Sequence, residues 1–196
     1  EGVDFNAARD AALAHAEETG KLFIAPFDDP HVIAGQGTVA LELLEDVPDL
    51  DILIVPIGGG GLMAGCAIAA HAINPGIEMV GAQTALYQSM AQALKGEAST
   101  GAGTTIAEGI AVKTPGEITR PIIADHVTDI TVLGEDQIEA AVLALAEGQR
   151  IVAEGAGAAG VAALLAGDRR YAGKKVGIVI SGGNIDSRLL SNVLLR

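Results

Sequence analysis

The sequence predicts a parallel, doubly wound α/β domain with helices on both faces of the sheet. Three observations carry that prediction. Short aliphatic runs alternate with stretches of helical period. The runs LDILIVPIG, IEMVGAQ and KKVGIVISG are apolar at successive positions, as strands buried on both faces are. Two of them end in glycine clusters, Gly58–Gly61 and Gly182–Gly183, and ligands of parallel sheets bind beyond the carboxyl ends of the strands.

The elements follow in order. Asp4 is placed to cap a helix running to Thr19, with Gly20 as its stop signal. KLFIAPF (Lys21–Phe27) reads as a short strand, and FDDPHVIAGQGT (Phe27–Thr38) as a loop dense in Asp, Pro and Gly. Thr38–Val47 returns to helical period, and Leu50–Gly58 is the first buried strand. A helix is expected over Leu62–Asn74, a strand over Ile77–Gln83 and a helix over Tyr87–Gly96. Glu97–Gly109, rich in Gly, Thr and Ala, reads as a loop. Val127–Gly134 is strand-like, Glu135–Ile151 an amphipathic helix and Ala156–Ala166 a helix of small residues. Lys174–Gly182 is the last strand, and a final helix starts at Ser187.

Composition narrows the function. With 49% hydrophobic and 19% charged residues the chain is globular, and its 196 residues suit one domain, residues 1–196. The formal net charge of −13 argues against nucleic acid and anionic membranes as partners. An anionic small ligand stays open, because backbone N–H groups alone can hold a phosphate. The apolar runs are too short or too interrupted to span a membrane, and the N-terminus has no signal-peptide pattern, so a cytoplasmic location is expected. Cys66, the single cysteine, lies in an apolar helical stretch and reads as a core residue.

Two motifs point to chemistry. Gly58, Gly59, Gly60 and Gly61 stand between a buried strand and a helix, followed by Leu62. Successive N–H groups without Cβ atoms can wrap an anion, and the helix N-terminus adds its positive end. A tight turn would need one or two glycines, and four in a row favour a phosphate cup. The run fits neither the P-loop nor the GxGxxG pattern well. Ser181, in SGGN at the end of the last strand, is placed either to meet a ligand ring nitrogen or simply to open a turn.

Five motifs occur in order: PFDDPHVIAGQGT, VPIGGGGL, AEGIAV, AEGAGA and SGGN. In this they resemble the fold-type II pyridoxal 5'-phosphate enzymes with a tryptophan synthase β-like fold, on the threonine dehydratase (threonine ammonia-lyase) and serine racemase branch. The resemblance covers essentially the whole chain. It implies that Gly58–Gly61 and the N–H of Leu62 hold the cofactor phosphate, that Ser181 faces the pyridine nitrogen, and that Gly109 lies beside the ring. Glu108 and Glu154 would stand near it, or else serve as a solvated loop carboxylate or a helix cap. The implied reaction deaminates L-threonine, and L-serine, to a 2-oxo acid and ammonia, in amino-acid metabolism such as isoleucine biosynthesis. The implied partners are a small amino-acid substrate and a second copy or a complementing N-terminal segment.

Departures from the family pattern matter equally. The lysine that carries the cofactor lies in a Ser-Phe-Lys type motif, and none of Lys21, Lys95, Lys113, Lys174 and Lys175 stands in such a context. No catalytic residue is therefore assigned within this chain. The lysine segment and the small domain are expected outside it, in a larger parent protein. Gln83 and Ser89 replace the carboxylates with which racemase-like members bind a divalent cation, so no metal is expected there. His15, His31, His71 and His126 have no metal-ligand spacing, though His31 falls near the expected crevice. The alternatives are serine racemization, a noncatalytic module that holds a phosphate ligand, and a nucleotide-binding Rossmann-like domain. The last lacks the acidic residue expected at ribose distance from a GxGxxG.

Overall fold

The computed structural model describes residues 5–167 and 169–195, so Asp4 and Arg196 lie outside the described residues. Four parallel strands form one sheet: β1 (Ile52–Pro56), β2 (Glu78–Thr84), β3 (Asp129–Leu133) and β4 (Val176–Ile178), in the order β3-β2-β1-β4. β1 pairs with β2 on one side (Ile54 opposite Val80) and with β4 on the other (Ile54 opposite Ile178).

All five residues of β1 are buried, and successive side chains enter opposite layers. Leu53 and Val55 pack with helices α2 (Pro30–Asp46), α3 (Gly61–Ile73) and α5 (Thr119–His126). Ile52 and Ile54 pack with α6 (Glu135–Ala144), α7 (Gly155–Leu165) and α8 (Ser187–Leu194). The doubly wound prediction therefore holds. Helix α1 (Phe5–Thr19) ends at Gly20, whose φ of 68° is the left-handed stop its residue type allows.

Several boundaries differ from the sequence reading. Lys21–Phe27 belongs to no strand of the sheet, and Leu22 and Ile24 face outward while Phe23 and Ala25 turn inward. Most of the predicted loop Phe27–Thr38 is the start of α2. Pro30 supplies a preset φ, and the Asp29 carboxylate accepts the N–H groups of His31 (2.8 Å) and Val32 (3.1 Å). The predicted helix over Tyr87–Gly96 is shorter, with α4 at Ser89–Leu94 after a 3₁₀ turn at Ala85–Tyr87. The helix expected to reach Ile151 ends at Ala144 in a wider π turn, closed by Arg150 at φ 60°. The last strand stops at Ile178, with one further ladder bond from Val179 N–H to the Ile54 carbonyl (3.0 Å). Helix α5, built from TRPIIADH, was not foreseen.

Candidate active site

The carboxyl ends of β1 and β4 open into a cleft of about 430 Å³. Its lining joins segments far apart in sequence: Phe27, Gln36, Gly58–Gly61, Leu62, Glu108–Val112 and Ser181. Pockets of this size hold small-molecule ligands. Every residue assigned to the cofactor from sequence except Glu154 lines it.

The glycine loop forms because β1 must turn at once into α3. Gly60, at the N-cap, has φ 103° and no side chain to cap the helix. The first N–H groups of a helix lack intrahelical acceptors, and no side chain caps this end. The backs of the glycines are closed: a Cβ on Gly59 would meet the Phe27 ring at 2.4 Å, and one on Gly60 would meet Thr119 Oγ1 at 2.7 Å. Among the lining residues the only charged side chain is Glu108, and none is cationic. An anion held here would have backbone dipoles, not a cationic side chain, to bind it. Those features fit a phosphate-bearing cofactor: a narrow, side-chain-free donor loop with an apolar wall from Ile110 to Val112 beside it.

Glu154 stands just behind the lining. It occupies the N-cap position of α7 without making a capping bond. Its Oε2 instead accepts the Asn184 N–H (3.1 Å), and its own N–H donates to the Gly182 carbonyl (3.1 Å). Its carboxylate thus ties AEGAGA to SGGN. The start of α7 can lie this close because Gly157 has no Cβ, which would meet the Gly182 oxygen at 2.3 Å. Gly109 fits against the same carboxylate, 3.0 Å from where its Cβ would be. Glu108 begins the 3₁₀ turn Glu108–Ile110 and is exposed at the cleft.

The other candidates lie elsewhere. Lys21 reaches His15 (3.4 Å), Lys174 reaches Asp51 (3.8 Å), Lys175 pairs with Asp49, and Lys113 lines a separate pocket with Arg120. No lysine lines the cleft among the described residues. His31 is turned to solvent, its side chain 97% exposed, and His71 packs on His126 with ring centroids 5.2 Å apart. Gln83 is wholly buried. Its amide donates to the Ile57 and Tyr87 carbonyls and accepts the Ala91 N–H, while Ser89 donates to the Val112 carbonyl (2.7 Å). Both therefore hold loops together. Cys66 is buried, and burial pushes its thiol up to about 11.

Sequence reasoning missed Asp28, Thr119 and Glu135. Asp28 accepts the N–H groups of Glu117 (2.9 Å) and Ile118 (2.9 Å). Thr119 donates to the Gly59 carbonyl (2.6 Å), and Glu135 accepts from Thr84, Thr105 and Ile106. Asp-Asp-Pro is a readable cap signal for Asp29. No local pattern links the other three residues to their partners.

Comparison with known proteins agrees with this geometry. The family model "Pyridoxal-phosphate dependent enzyme" matches residues 2–182. The L-threonine ammonia-lyase of Thermotoga maritima is 46% identical over 99% of this chain and 49% of its own length. A catabolic L-threonine dehydratase of Escherichia coli K12 is 44% identical over 98% of this chain and 60% of its own. The structure of maize serine racemase superposes with a TM-score of 0.88 at 37% identity, over 98% of this chain and 62% of that one. The chain thus spans about half to three fifths of the length of these curated relatives. On the family match and the cleft together, the chain belongs to the pyridoxal-phosphate dependent enzymes of fold type II.

Proposed function

We propose that this chain is the cofactor-holding part of an enzyme that converts L-threonine, and L-serine, to the 2-oxo acid and ammonia. In this reading residues 1–196 form one α/β unit, most of the large domain of the parent. The observation that carries it is the convergence of the glycine loop, Gly109 and Ser181 on one cleft without a cationic side chain. When bound, pyridoxal 5'-phosphate supplies an electron sink for negative charge at the amino-acid α-carbon. Gly58–Gly61 and the Leu62 N–H hold its phosphate. The Ser181 hydroxyl offers the ring nitrogen a neutral partner, Gly109 leaves room for the ring, and Glu154 keeps the SGGN turn in place. The lysine that carries the cofactor comes from outside this sequence.

Relatives named L-threonine ammonia-lyase and catabolic L-threonine dehydratase support the substrate class. The catabolic name supports threonine breakdown over the isoleucine-forming role suggested by resemblance. No helix among the described residues is long and apolar enough to cross a membrane. Leu22, 86% exposed, and Ile24, 67% exposed, support a covering partner, either a complementing N-terminal segment or a second copy.

The test has two parts. The purified chain is titrated with pyridoxal 5'-phosphate and treated with borohydride. Saturable binding with no lysine fixed is expected, and a fixed lysine within residues 1–196 would overturn the assignment. The parent protein is then assayed with L-threonine. Release of 2-oxobutanoate and ammonia in equal amounts is expected, and their absence sinks the reading. The likeness to serine racemase favours a second reading, racemization of serine. Formation of D-serine without 2-oxo acid would select it.

A further inference from the structure

We propose that Asp28 and Thr119 are positioning residues that aim the glycine loop at the cofactor phosphate. This inference rests on the phosphate-cup reading above.

Asp28 is half-buried where the chain passes from the extended segment toward α2. Its carboxylate spans the start of α5, taking the Glu117 N–H on Oδ2 (2.9 Å) and the Ile118 and Thr119 N–H groups on Oδ1 (2.9 and 3.3 Å). These are donors that a helix start leaves without intrahelical acceptors. A carboxylate some ninety residues away in sequence thus anchors α5, and its charge suits the positive helix end. A Cβ on Gly116 would fall 2.2 Å from Asp28 Oδ1, so any side chain there would have to displace the carboxylate from its N–H partners.

Anchoring α5 places Thr119, which is fully buried. Its hydroxyl donates to the Gly59 carbonyl at 2.6 Å, and the Gly116 N–H reaches the same oxygen at 3.1 Å. Both donors come from the segment that Asp28 holds. A trans peptide is planar, so its C=O and the next N–H point in opposite directions. Pulling the Gly59 oxygen toward Thr119 therefore turns the Gly60 N–H away from α5. The Gly60 backbone, at φ 103°, would otherwise have wide freedom. The three-residue path Asp28, Thr119, Gly59 makes the direction of that donor a built property of the loop.

The test uses the 196-residue chain and pyridoxine 5'-phosphate, which carries the phosphate but no aldehyde. Affinity is read by fluorescence, the Gly60 amide by NMR, and folding by thermal melting. Thr119→Val should weaken binding about tenfold, the equivalent of one lost hydrogen bond, and the Gly60 amide should stop responding to ligand. Thr119→Ser, which keeps the hydroxyl, should restore both. Asp28→Asn, which keeps the shape, should weaken binding in the same direction. Wild-type binding by Thr119→Val overturns the proposal. So does a loss of affinity that tracks the melting temperature and that Thr119→Ser does not rescue. If the wild-type chain itself fails to bind pyridoxine 5'-phosphate, the phosphate-cup reading falls and takes this inference with it.

Discussion

The Glu135 carboxylate and the Thr105 hydroxyl, thirty residues apart in sequence, are joined by a 2.8 Å hydrogen bond. The same carboxylate accepts the Thr84 hydroxyl and the Ile106 N–H, both at 2.7 Å. Glu135 opens α6, so one side chain pins the segment before Gly109 to the end of β2.

Glu135→Ala leaves three donors without this acceptor. Loss of roughly 2 kcal/mol of stability is expected for a half-buried, charge-assisted cluster. A urea titration measures it. The loop at residues 97–104 should also be cut faster by a nonspecific protease in this variant, while Glu135→Gln retains part of the protection.

Helices α2 and α3 touch through their backbones. A Cβ on Gly65 would lie 2.2 Å from the Ile33 oxygen and 2.6 Å from the Gly37 nitrogen. Gly65→Ala must push the helices apart, at a cost of about 3 kcal/mol. Gly35 on the same α2 is exposed with nothing within 4 Å of its Cβ position. Gly35→Ala should stabilise by about 0.5–1 kcal/mol, through helix propensity alone. The two urea midpoints should move in opposite directions.

The Asp29 carboxyl is held below its ordinary value by the Val32 and His31 N–H groups, and then by the nearby His31 ring. A depressed carboxylate contributes stability above its unfolded value and loses it as pH falls through the folded one. The start of α2 should therefore loosen only in acid, below the ordinary carboxylate range. Amide exchange of His31 and Val32 should rise there in the wild type. In Asp29→Asn it should vary with pH only as intrinsic exchange does.

Burial holds the Cys66 thiol at about 11 and keeps it protonated. Native protein at pH 8 should react with a disulfide reagent far more slowly than protein in urea. An acid whose folded value is raised stabilises below its unfolded value, and that contribution is lost as pH rises. Alkaline pH should thus lower the melting temperature of the wild type more than that of Cys66→Ala.

Much of the cleft was legible because its key pieces are local. Four glycines after an aliphatic run announce a strand-to-helix turn whatever surrounds them, and SGGN does the same at β4. Glu154 was read as a neighbour of the ring, and the structure adds what the sequence did not carry: its carboxylate sits against Gly109 and ties down Asn184. Lys21–Phe27 has the composition of a strand, but a strand needs a hydrogen-bonded neighbour that no composition supplies. The helix start at Pro30 was hidden by Gly35 and Gly37, which look like loop residues until Gly37 is seen packed against Gly65.

The sequence by itself determined the alternation of strands and helices, the two buried faces of β1 and the glycine turn at its end. Each depends on residues within one or two turns of chain, where periodicity and the missing Cβ act directly. Only the tertiary structure decided which distant groups hold that loop: Asp28 on the start of α5, Thr119 on Gly59, Glu135 on Thr105. A hydrogen bond between such residues depends on how helices pack across the sheet, and a carboxylate carries no mark in sequence of the N–H groups it will meet.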